Sequence, residues 1–258
     1  MILRRIREHA GKHNWFAVGI DLVIVVLGVF LGTQVSNWNN DRLAHQAGDT
    51  YRARIASDLQ TNIQDMQGRA GYYAQVRAFG LQALGELDNR ARISDEQFVI
   101  AAYQATQIYP RPMTRAAYDE VLAAGAINTL GDAAIRQRIS GYYVAMETSE
   151  VTFRNVPPYR DAVRSAIPYA VQQRVRTACA EVMADTASSG LSRMTLPAHC
   201  SLNLPPAEIA RAAALLRDTP DLERDLTREL ADLDQKLIQT DRSIIRARQL
   251  AVELARAN

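Results

Sequence analysis

The amino-acid sequence predicts an all-α protein: one N-terminal transmembrane helix, then an extracytoplasmic helical bundle in which two long helices pack together. Three observations carry this expectation. Ala, Arg, Leu and Gln crowd every segment, aromatic residues are only 7% of the chain, and clusters of Val, Ile, Thr and Tyr that read as strands are missing. The stretch WFAVGIDLVIVVLGVFLGTQVSNW at 15–38 is an apolar run with one carboxylate, Asp21. Apolar residues also recur every three or four positions after that run and again at the C-terminus, the period of one helix face.

The first element is residues 1–14, MILRRIREHAGKHN, a basic segment expected in the cytoplasm. Ile2, Leu3, Ile6 and Ala10 stand at helical spacing among arginines, the pattern of a short helix on the inner leaflet; a frayed basic tail reads equally well.

The second element is the span at 15–38. From Phe16 to Val35 a helix rises about 30 Å, the thickness of a bilayer's hydrocarbon core, so the lipid bilayer is its expected partner. Trp15 and Trp38 then fall at the two interfaces, where indole rings anchor. A cleaved signal peptide is the rival. Its apolar region is shorter, and TQVSNWNND after the run holds no small-x-small cleavage site, which favours an uncleaved single-pass signal anchor. Arg4, Arg5, Arg7 and Lys12 precede the span and only Arg42 closely follows it, so the positive-inside rule puts the N-terminus in the cytoplasm. Residues 39–258 are then an extracytoplasmic domain, periplasmic if the cell has two membranes, and the membrane is the bacterial inner membrane.

Asp21, Val25, Gly28, Gly32 and Ser36 share one stripe of the span, apart from Leu22, Val26 and Phe30. Gly28 and Gly32 form a small-xxx-small pair that lets another helix approach closely. A carboxylate facing lipid costs about 2.5 to 3.5 kcal/mol at mid-membrane, less near the end, and a partner or protonation relieves that cost. The stripe is therefore expected to meet a second copy or a partner membrane protein. The competing reading has Asp21 reaching the inner interface, near Lys12 or a headgroup.

In the third element, Leu59, Ile63, Met66, Ala70, Tyr73, Gly80, Leu84 and Leu87 predict a long helix over about 41–89, with Gly68, Gly71, Gly80 and Gly85 as soft points. Ser94 and Gln97 make a capping box for a helix to about Ile108, ended by Pro110 and Pro112. Gly125 reads as a C-cap and Asp132 as the N-cap of the next helix. This helix pair has balanced charges and an extracytoplasmic place, so it is a packing hairpin, and no nucleic-acid partner is expected. After Pro157 and Pro158 a helix is predicted from about Tyr159 to Thr186, kinked by Pro168. SSGLSRMTLPAHCSLNLPP is the one long loop. Cys179 and Cys200 flank most of it, which in an oxidising compartment predicts a disulfide, with two free thiols as the alternative. Thr219 and Pro220 read as the N-cap and first turn of a C-terminal helix carrying Leu222, Leu226, Leu230, Leu233, Leu237, Ile244, Ala251 and Leu254.

The N-terminal stretch, with its basic start, early acidic residue, glycine-containing apolar run and Asn37-Trp38-Asn39 signature, resembles an uncharacterised family of bacterial single-span membrane proteins, a domain of unknown function. The resemblance covers roughly the first 60 residues and, more loosely, YDEVLAAGAINTLGDAAIRQRISGYY; members more often carry glutamate where Asp21 stands. It implies topology and no catalytic residues.

His9, His13, His45 and His199 form no Ser/His/Asp or Cys/His set, and no glycine-rich phosphate loop or metal-ligand spacing occurs, so neither an enzyme nor a cofactor or metal is expected. The composition leaves two functional classes. One is a membrane-anchored helical scaffold or accessory subunit acting through protein–protein association. The other is an extracytoplasmic ligand-sensing bundle signalling laterally to a partner membrane protein, with Tyr72, Tyr73, Tyr142 and Tyr143 as site or as core.

Overall fold

The computed structural model describes residues 15–109, 111–185 and 192–256, and the amphipathic segment expected at 1–14 lies outside them. Two compact units divide the chain, Met1–Thr50 and Tyr51–Asn258, and helix α1 (Trp15–Leu87) passes through both. The expected long helix is thus continuous with the apolar run. None of the four glycines interrupts it. Two sit at close approaches: a Cβ at Gly80 would meet Leu230 Cδ2 at 2.9 Å, and one at Gly85 would meet Ala91 Cβ at 3.3 Å.

In the second unit α1 contributes one buried stripe, Ile55, Leu59, Ile63, Met66, Tyr72, Tyr73, Val76 and Ala83. The C-terminal helix α8 (Leu222–Arg256) lies antiparallel beside it, with Leu226 and Leu230 against Gly80, Asp234 paired with Arg77, and Lys236 over the Tyr73 ring. Apolar area of this kind contributes roughly 25 cal/mol per Å² buried, so the pairing of the two stripes adds to the cohesion of the bundle.

The shorter helices sort onto two hydrophobic cores along this pair. One joins Tyr72 to Ala83 of α1 with α2 (Asp95–Gln104), α5 (Pro158–Ala166), α6 (Tyr169–Ala178), α7 (Pro206–Arg217) and the first half of α8. The other joins Ile55 to Met66 with α3 (Ala116–Ala123), α4 (Ala133–Arg154) and Ile244 to Leu254 of α8. A 3-10 turn, Ile127–Leu130, links α3 to α4.

Local signals act where expected. The Ser94 capping box is formed with Gln97. Gly125, at φ +63°, follows α3 in a Schellman arrangement: its N–H donates to Leu122 O and that of Ala126 to Val121 O. Asp132 accepts from Ile135 N at 2.8 Å.

Four expectations are corrected. Helix α2 ends at Gln104 instead of near Ile108, because the Thr106 hydroxyl donates to Tyr103 O and Arg160 donates to Thr106 O, satisfying carbonyls where the helix stops. Pro168 splits the predicted 159–186 helix instead of kinking it. Ile167 before it is extended at ψ 128°, and Gln172 Nε2 takes up the freed Arg164 and Ile167 carbonyls at 2.7 Å each. Beyond Cys179 the chain turns into a two-stranded antiparallel hairpin, β1 (Val182–Asp185) with β2 (Ser192–Thr195), where helix and loop were expected. Finally, the Thr219 hydroxyl donates back to Leu215 O and so closes α7, a helix not anticipated; α8 starts after Asp221, whose φ is +61° and whose carbonyl accepts from Asp225 N.

Candidate functional site

Every residue from 18 to 46 is exposed, including the large apolar side chains Val18, Leu22, Val25, Phe30 and Val35. This is one helix segment long and apolar enough to cross a membrane, and none of its span is buried within the protein. Asp21 and Ser36 are exposed on the same segment, and a Cβ built at Gly28 or Gly32 meets nothing within 4 Å. The backbone is therefore open to another helix along this stripe, which is the physical requirement of a small-residue contact.

Trp15 is the first residue of α1, and Trp38 is exposed at the other end. One feature of the signature escaped the sequence reading. Arg42 reaches back one turn, its Nη2 donating to Asn39 Oδ1 at 3.3 Å and its guanidinium lying 6.0 Å from the centre of the Trp38 ring. The i, i+3 and i, i+4 spacing that makes both contacts was legible. Arg42 thus braces Trp38 and Asn39 as well as supplying charge.

Cys179 and Cys200 form the expected disulfide, with Cα atoms 5.4 Å apart. It ties the end of α6 to the segment before α7, and Gln104 Nε2 of α2 donates to Cys179 O at 2.8 Å. The bridge therefore belongs to the core built on Tyr72 to Ala83.

Tyr72, Tyr73, Tyr142 and Tyr143 are all buried, and they pack as core. Tyr143 stacks on Tyr118 with centroids 4.2 Å apart, and Tyr73 lies parallel to Phe153 at 6.0 Å. Burial raises the hydroxyl pKa of each of the four above the ordinary tyrosine range. His45 and His199 are exposed and far apart in sequence, and His9 and His13 lie outside the described residues. Among the described residues no three His, Cys, Asp or Glu side chains are grouped to hold a metal ion.

Two buried charge clusters were not read from the sequence. Arg69 is 1% exposed; it pairs with Glu150 at 3.0 Å, donates to Arg111 O and stacks 4.5 Å over Phe153. Arg111 pairs with Asp65 at 3.2 Å, and burial raises the Asp65 carboxyl against the pull of that arginine. The neighbouring cavity, lined by Met66, Met113, Met146 and Phe153, is about 20 Å³, room for about one water. On α8, Glu229 is buried with Oε2 unpartnered, and burial pushes its carboxyl up to about 7 despite Lys236. The Arg69 cluster joins residues tens of positions apart in the chain, so no local pattern announces it; Glu229 and Lys236 stand seven positions apart on one helix face.

Comparison with known proteins finds no matching family model, no matching curated protein and no matching solved structure.

Proposed function

We propose that the chain is a membrane-anchored helical scaffold or accessory subunit that works through protein–protein association. The observation that carries this reading is the apolar first third of α1: a span-length segment bare on every side, in a helix that continues into a folded, disulfide-bonded bundle. Soluble surroundings do not tolerate contiguous apolar area of that size, whereas a bilayer requires it. The four basic residues before the span support a cytoplasmic N-terminus with the bundle outside, in the periplasm of a two-membrane cell. An oxidising compartment there accounts for the disulfide. The resemblance of the first 60 residues to single-span proteins of unknown function belongs to the same reading.

Association runs through the Asp21, Gly28, Gly32 and Ser36 stripe, which meets the same stripe of a second copy or a span of another membrane protein. The reading assigns no catalytic role; among the described residues Tyr72, Tyr73, Tyr142 and Tyr143 are core. The test is crosslinking and native mass analysis in mild detergent. Gly28→Leu with Gly32→Leu, and separately Asp21→Leu, are expected to cut the associated fraction several-fold. Association undiminished by either change excludes the stripe as the interface.

A further inference from the structure

Buried charges in this bundle are met by opposite charges. Arg69 pairs with Glu150, Asp65 with Arg111, and Glu86 with Arg217. Lys236 departs from this rule. It is 2% exposed, and among the described residues its ammonium makes no hydrogen bond and no ion pair; what it meets is the Tyr73 ring, 5.4 Å from Nζ to the centre. A ring face replaces only part of the hydration that a cation loses on burial. Two carboxylates of the same helix leave it unpaired. Asp232 stands one turn earlier, at the i, i+4 spacing that suits an acid and a base, yet the pair does not form. Glu229, two turns earlier, keeps its own Oε2 unpartnered.

A second observation lies at the same place. Lys236 and Asp232 both line one groove of about 490 Å³ between α8 and the end of α4, space enough for a small metabolite. Thr152, Arg154 and Asn155 line it from the α4 side, and Gln235 from α8. The unpaired base and acid thus border the same space one helix turn apart. A ligand of a single charge answers one of them and leaves the other bare, whereas a zwitterion answers both.

We infer that the groove binds a free α-amino acid with a polar side chain, its carboxylate on Lys236 and its ammonium on Asp232. Arg154 adds a second donor to the carboxylate, and the Asn155 and Gln235 amides, which both donate and accept, take the polar side chain. The site stands on the bundle alone and does not depend on the direction of the span or on its stripe.

The experiment follows the thermal unfolding midpoint of the full chain in non-ionic detergent at constant ionic strength, with L-glutamine, L-asparagine or L-serine added. Propionate and glycinamide, which carry the carboxylate and the ammonium separately, are the controls. A saturable rise with at least one of the amino acids and with neither control is expected. Lys236→Met keeps the apolar stem and removes an unpaired buried charge, so without ligand its midpoint should be equal or higher. Asp232→Asn, at a half-buried position without an ion pair, should fold with an unchanged midpoint. Each should weaken binding about tenfold or more, the loss of one charge-assisted bond. If K236M folds poorly, D232N alone decides. No saturable rise with any of the three amino acids, an equal rise with either control, or a rise that D232N keeps in full overturns the site.

Discussion

Residues 18–38 and 55–83 belong to one unbroken helix and face opposite demands. In the first stretch Val25, Leu27, Phe30 and Val35 point outward on all sides and stay exposed. In the second most large apolar residues keep to one stripe, with Leu81 outside it, and Ile55, Leu59, Tyr72, Tyr73, Val76 and Ala83 are wholly buried. The backbone hydrogen bonds are the same in both; only the pattern of side chains differs. Helix formation and choice of solvent are thus separate questions, and the angular width of the apolar face answers the second. A face that is apolar all round asks for lipid, and a stripe asks for another helix.

The sharpest way to break this comparison is to make each stretch carry the other's pattern. Val26→Arg with Leu27→Arg costs about 2.5–3.5 kcal/mol per arginine at mid-span, and carbonate extraction should then find the protein out of the membrane while the bundle still unfolds at its usual denaturant midpoint. Leu59→Ala does the reverse. It opens a cavity worth about 2–5 kcal/mol, lowering that midpoint and leaving the membrane fraction intact.

The two cores of the bundle sharpen the comparison further. Only the core around Tyr72 to Ala83 is bridged, so replacing Cys179 and Cys200 together with alanine should cost about 3 kcal/mol. Hydrogen exchange should rise first in α6 and α7 and least in α3 and α4.

A smaller effect separates the buried stripe of α8 from ordinary surface. Glu229 has its carboxyl raised by burial, with Lys236 opposing and Asp232 assisting. A raised carboxyl binds its proton more tightly in the folded state than in the unfolded one. Its contribution to stability is fully present below the unfolded value of about 4.5 and is lost as pH rises through about 7. Stability measured from pH 5 to pH 8 should therefore fall, and Glu229→Gln should flatten the slope.

The sequence made legible whatever is encoded within a few residues: the Ser94 box, the Gly125 and Asp132 caps, the Leu ladder of α8 and the apolar run all act as their spacing implies. The failures share a cause. Thr219 and Pro220 lie between two helices, and such a pair serves either neighbour; here the hydroxyl turned back to Leu215. Met183, Ala184 and Asp185 have no strand pattern, and their hairpin depends on pairing with residues 192–194. The two guanidinium groups on Thr106, those of Arg160 and Arg164, come from 54 and 58 positions away, which no periodicity reveals. Of the candidate span interface, the stripe was readable, and so was the spacing that lets Arg42 reach Trp38 and Asn39, although the contacts themselves follow from the side-chain geometry.

In the proposed topology the apolar segment 15–38 of α1 anchors the chain and the bundle lies outside the cytoplasm. Arg228 is exposed on α8 and both native cysteines are bonded to each other, so Arg228→Cys offers a single free thiol. In intact spheroplasts, a membrane-impermeant maleimide should modify that thiol to the same extent as in permeabilised cells. A thiol protected until the membrane is opened would contradict the account.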